Sequence, residues 1–84
     1  MKFTTDWQAI ENDLAAIWVN AADRQEVTDT ANMIERLLKH DPMNVGEARD
    51  GNTRILIVPP LAIYYDVIVD DCRVVVWQLW RWNP

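Results

Sequence analysis

"TRILIVPPLAIYYDVIVDDCRVVVWQLWR" occupies residues 53–81, and the fold turns on how it is read. Its residues are rich in Val, Ile, Leu and aromatics, and its apolar period is two, the spacing of strands rather than helices. Pro59-Pro60 interrupts it once and "DDC" at 70–72 interrupts it again. Three strands are therefore predicted, at 53–58, 61–69 and 73–81. Their connections are short enough only for antiparallel neighbours, which makes a meander.

Upstream the period changes. Trp7, Ile10, Leu14, Ile17 and Trp18 lie on one face of a helix predicted over 8–20. Thr5 or Asp6 is placed to cap it, and Thr5 with Gln8 fits a capping box. Asp23 and Glu26 repeat that pattern ahead of a second helix over 24–40, whose stripe is Val27, Ala31, Ile34, Leu37 and Leu38. Its other side, with Asp29, Asn32, Glu35, Arg36 and Lys39, is expected to face water, and Glu35 and Lys39 form a favourable i,i+4 pair. His40 falls at the helix C-terminus, where a partial positive charge is welcome. "HDP" at 40–42 stops the helix, because proline disfavours helical geometry just before it. Phe3, Thr5 and Trp7 alternate, so a short strand can precede everything. The order is α-α-β-β-β, an α+β fold with two N-terminal helices on one face of a three- to four-stranded antiparallel sheet. Trp18, Ile34 and Leu38 are expected among the most buried side chains.

Eighty-four residues suffice for one domain, 1–84, with a modest core. Half the residues are hydrophobic and a quarter charged, the balance of an ordered globule. The single cysteine, Cys72, excludes an internal disulfide, and Lys2 is followed by a polar stretch rather than a signal-like apolar run. No apolar run is long enough to span a bilayer. A cytoplasmic protein without a membrane partner is expected. The net charge is −5, with four basic and eight acidic side chains in residues 1–41 and four basic and five acidic in 42–84. Such a field repels phosphate backbones.

The last strand is apolar on both faces. Strict alternation puts Val74, Val76, Gln78, Trp80 and Trp82 on one side and Arg73, Val75, Trp77, Leu79 and Arg81 on the other. Two helices cover one side only. Either the other is a partner surface, or the chain end folds over and buries Trp80 and Trp82.

The chemical inventory is short. His40 and Cys72 each stand alone, without carboxylates at ligand spacing, so no metal and no cofactor is expected. There is no serine for a Ser-His-Asp arrangement, and Gly46 and Gly51 are too few for a phosphate-cradling loop. What remains is Arg49, Arg54, Tyr64, Tyr65, Arg73 and Arg81 on the predicted sheet. Arginine holds phosphate bidentately, and tyrosine stacks on bases or moves a proton. Metal-free RNA cleavage needs those functions, yet the same residues also suit the surface of an amphipathic sheet.

"ARDGNTRIL", "LAIYYDV" and "RVVVWQLWR" in that order, after two helices, resemble the RelE/ParE superfamily of type II toxin-antitoxin toxins. Arg49 and Gly51 match that family's Arg-x-Gly element, and Arg54 the cation that opens the next strand. Ile63, Tyr65 and Val67 match its third-strand pattern, and "IENDLAAIW" is similar to its first helix. The resemblance implies a toxin neutralised by a cognate antitoxin, acting on ribosome-bound mRNA or on DNA gyrase. It implies catalytic roles for Arg54, Tyr65 and Arg81, and target or partner contacts for Arg49, Tyr64, Arg73, Trp77, Trp80 and Trp82. Two departures point to a depleted nuclease: Ala62 stands where the RNA-cleaving members carry an arginine, with Leu61 in place of the tyrosine before it, and the chain stops at Asn83-Pro84 without their basic C-terminal segment. The expected alternative is a non-catalytic, dimerising interaction module.

Overall fold

The structure is a computed structural model and describes residues 2–82. Strand β1 (Thr4–Asp6) leads through a 3₁₀ turn (Gln8–Ile10) into helix α1 (Glu11–Asn20) and helix α2 (Arg24–His40). Strands β2 (Glu47–Asp50), β3 (Thr53–Val58), β4 (Leu61–Ile68) and β5 (Arg73–Arg81) follow. The three predicted strands form the antiparallel meander β3-β4-β5. The sheet has five strands, in the order β1-β5-β4-β3-β2: the short N-terminal strand that the Phe3-Thr5-Trp7 alternation allowed lies at one edge, and β2, which was not expected, at the other. β1 runs parallel to β5, so the sheet is mixed rather than purely antiparallel. β2 is the first arm of a hairpin with β3, turning at Gly51, whose φ of 56° is the left-handed region glycine enters freely.

The core lies between the helices and one sheet face. Ile34 and Leu38 of α2 are fully buried, as expected, with Ile10, Val27, Leu61, Ile63, Tyr65, Val74 and Val76. Trp18 is not: it is 43% exposed. α1 turns Leu14 and Ile17 toward the core and has no fully buried residue, so Trp18, a hundred degrees further round, lies across the outside of the helix pair. Its indole N–H donates to Thr28 Oγ1 at 3.0 Å, and the Arg24 guanidinium sits 5.1 Å from the ring centroid.

Neither expected capping box forms: Thr5 and Asp23 turn to partners distant in sequence, and only Asp6 keeps a local bond at the helix start. Thr5 Oγ1 donates to Glu35, and the Asp6 carboxylate takes the Gln8 N–H at 2.9 Å. Asp23 makes no side-chain cap on α2, because its carboxylate is held by Arg81 at 2.8 and 2.9 Å. Glu35 does not simply face water either. Besides Thr5 it accepts the Trp7 indole N–H, and it keeps Lys39 at 3.7 Å.

β5 carries the largest surprise. Tyr64 pairs with Gln78 but Tyr65 with Val76, so Trp77 is an extra residue and the strand bulges there. A bulge shifts the alternation by one, and everything beyond it changes face. Leu79 and Arg81 join Val74 and Val76 on the helix side, while Trp80 joins Trp77 on the open side. The expected grouping of Trp80 with Val76, and of Leu79 with Trp77, is thereby corrected.

Candidate functional site: an open aromatic face and a closed arginine–tyrosine corner

Tyr64 and Tyr65 are adjacent in β4 and point to opposite faces, which defines two places of different chemistry. On the open face the Tyr64 ring stacks on Trp77 from β5, with centroids 5.2 Å apart and planes 11° from parallel. Trp80 leans on the same tyrosine at 5.0 Å and 44°. The ridge exists because the bulge brings both tryptophans to one side of Tyr64. Trp77 remains 42% exposed and Ile57, on β3, 38%. Asp66 borders the ridge, and its Oδ1 accepts from Thr53 Oγ1 at 2.6 Å and from the Trp77 indole at 3.2 Å. Trp82 lies past the end of β5, half-buried, its backbone N–H donating to the Pro60 carbonyl at 2.8 Å.

The helix face holds the residues with catalytic potential, and all are engaged internally. Tyr65 is fully buried and donates its hydroxyl to the Pro42 carbonyl at 2.8 Å. Burial pushes its pKa up, opposed by the neighbouring Arg54 guanidinium. Arg54, directly opposite Tyr65 in β3, donates Nη2 to the Gly46 carbonyl, while its buried Nε has no partner. Gly46 is required at this corner: a Cβ there would stand 2.5 Å from the Ile55 carbonyl oxygen and 2.6 Å from the Tyr65 hydroxyl. Together these groups staple the loop between α2 and β2 to the sheet.

Arg81 stands apart. It pairs with Leu61, four residues along β4 from Tyr65 and so about 13 Å away, at the usual rise per residue. Its partner is Asp23, which raises the arginine's pKa and holds the aspartate below the usual carboxylate range. The proposed trio of Arg54, Tyr65 and Arg81 is thus brought together only as a pair, with its tyrosine out of solvent. Arg49 sits at the irregularity in β2, 3.8 Å from Glu47, and Arg73 binds Asp6 at 2.7 Å.

No protein-family model matches the sequence, and no curated protein matches it significantly. Solved structures do. A chain of the RelBE2 toxin-antitoxin complex from Mycobacterium tuberculosis superposes with a TM-score of 0.76 at 13% identity, over 96% of this chain and 99% of that one. The isolated Escherichia coli RelE toxin superposes with a TM-score of 0.63 at 12% identity, over 100% of this chain and 87% of that one. The fold is that of a RelE toxin.

Within this RelE-like fold, Ala62 acquires a physical role. It faces the open side, paired with Ile57 and Trp80, and is fully buried there. An arginine side chain at this fully buried position would have to push neighbouring groups aside to reach solvent. Sequence reasoning read Glu35 only as the partner of Lys39, a pair the structure keeps, and gave no bonding role to Asp66, Pro42 or Gly46. Only Asp66 left a trace, a carboxylate in the middle of an otherwise apolar strand.

Proposed function

We propose that the protein is the toxin component of a toxin-antitoxin pair, held inactive by a partner protein that covers the open sheet face, and that it acts by binding a protein target such as DNA gyrase rather than by cleaving mRNA. The observation that carries this reading is the superposition, over nearly the whole of both chains, on a protein whose structure is that of a toxin-antitoxin complex. The choice of binding over cleavage rests on the arginines and tyrosine. RNA cleavage needs cations aimed at the phosphate and a proton-moving group within reach of the ribose. Here Arg54 and Tyr65 are spent on backbone carbonyls, Arg81 on Asp23, and Ala62 supplies no cation. The net charge of −5 further disfavours an RNA target.

Induction of the protein alone should arrest growth, and co-expression with the product of an adjoining reading frame should relieve the arrest. A translating extract should show no codon-dependent mRNA cleavage, while purified gyrase should lose supercoiling activity. Robust cleavage that disappears in Arg54→Ala would overturn the non-catalytic reading and return Arg54, Tyr65 and Arg81 to catalytic roles. Absence of growth arrest would leave a dimerising interaction module as the better account.

A further inference from the structure

We propose that the open sheet face docks a cationic, amphipathic segment of its protein partner, with arginine or lysine side chains laid over the Tyr64–Trp77 stack and directed at Asp66. The inference rests on the reading of the protein as one neutralised by a partner, and adds that partner's charge and mode of contact. Three observations converge on it.

The first is aromatic. The ridge presents a ring face that is a substantial part exposed, on the same side of the sheet as the exposed Ile57. Tryptophan and tyrosine faces attract guanidinium and ammonium groups, and this chain already uses that contact where Arg24 covers Trp18. The second is the carboxylate beside the ridge. Both hydrogen bonds to Asp66 arrive at Oδ1, and among the described residues nothing donates to its other oxygen. A half-satisfied carboxylate flanked by rings suits an incoming N–H donor.

The third is the sign of the face. Strand pairing puts Asp6, Glu47, Asp50 and Asp66 on the ridge side of the sheet. Arg73 answers Asp6 and Arg49 answers Glu47, but among the described residues no cation answers Asp50 or Asp66. In a chain of net charge −5 the face thus keeps unpaired negative charge around an apolar centre. Complementarity selects a positively charged partner, steers it at long range, and rejects nucleic acid.

The test uses the purified full chain and two labelled synthetic peptides of equal length. They share the same leucine and isoleucine positions, and carry either arginine or glutamate elsewhere. The arginine peptide should bind and weaken as salt rises, while the glutamate peptide should not bind. Trp77→Ala and Asp66→Asn should each weaken the arginine peptide by on the order of tenfold, with far-UV circular dichroism unchanged. Asp66→Asn keeps the shape and one acceptor oxygen, so it reports on charge even where Trp77→Ala perturbs the fold. Equal binding to both variants would place the contact elsewhere on an acidic surface and overturn the proposal, as would binding of the glutamate peptide, or displacement of the arginine peptide by single-stranded RNA. Growth arrest is scored in parallel. Arrest without peptide binding removes the docking proposal and leaves the toxin reading standing; peptide binding without arrest does the reverse.

Discussion

Tyr64 and Tyr65 are one peptide bond apart, yet they belong to surfaces that obey different rules. On the helix side of the sheet the candidate catalytic groups bond within the chain: the Tyr65 hydroxyl to Pro42, Arg54 Nη2 to Gly46 and, further along, Arg81 to Asp23. On the open side Tyr64 stacks on the exposed Trp77 indole, and Asp66 keeps an oxygen unspent. The first surface is built to exclude other molecules, the second to meet one. Arg54, Tyr65 and Arg81, which look catalytic in the sequence, fall on the closed side, and Tyr64, Trp77 and Trp80, expected as partner contacts, fall on the open one.

The sharpest way to break this contrast is to truncate one large side chain on each face. Leu38 is fully buried between α2 and the sheet, so Leu38→Ala should lower unfolding free energy by about 2–5 kcal/mol in denaturant titrations. Trp77→Ala loses a stacking contact and part of a half-exposed ring, and should cost only about 0.5–1.5 kcal/mol. If the two losses were equal, the open face would be core and the partner-surface reading would fail.

The corner at Tyr65 gives the next test. Tyr65→Phe removes the side-chain bond to the Pro42 carbonyl and should cost about 1–3 kcal/mol. It should also change the alkaline limb of stability. The folded-state pKa of Tyr65 is raised, chiefly by burial, so the folded chain keeps a proton that the unfolded chain has lost. That contribution is complete below about pH 10 and is lost as pH rises through the higher folded value. Wild type should therefore weaken above pH 10, and Tyr65→Phe, starting lower, should decline less steeply. Gly46→Ala should be destabilising in the same loop, because the added methyl meets the Ile55 backbone carbonyl, which cannot swing aside.

These residues also mark how far the sequence could be read. The helix stripe of α2 and the three strands of the meander were legible because each keeps one period over a full element. β2 was not, since "EARD" carries no apolar alternation and is held only by pairing to β3. The parallel pairing of β1 with β5 joins residues about seventy apart and leaves no local mark. The bulge at Trp77 was hidden for a different reason. With valines, leucine and tryptophans on both faces of β5, either register satisfies the pattern, so only packing against Tyr64 and Leu61 decides it. The site followed the same logic: residue types were visible, but the identity of their partners, Asp23, Glu35, Gly46 and Pro42, depended on contacts distant in sequence.

The smallest expected effect concerns the ion pair that links the end of β5 to the start of α2. Arg81 reaches the helix side only because the bulge turned it there, and its bond to Asp23 replaces the cap that Asp23 was expected to give α2. Both groups are open to solvent, so screening keeps the pair weak in absolute terms. Its pH signature is nonetheless distinct. Hydrogen bonding from Arg81 holds the Asp23 carboxyl below its ordinary value of 3.8, so the folded chain releases that proton more readily than the unfolded chain does. Stability from the pair is complete above that value and is lost as pH falls through the lower folded pKa. Asp23→Asn should therefore leave thermal stability near neutrality slightly reduced, and should flatten the decline below about pH 4. Asp6, lowered first by the Gln8 N–H and then by Arg73, provides the comparison on the open side of the sheet. Asp6→Asn should flatten the same acid limb without loosening α2. An acid limb unchanged in Asp23→Asn would mean that Arg81 is not anchored to the helix, and that the end of β5 is free to face the other way.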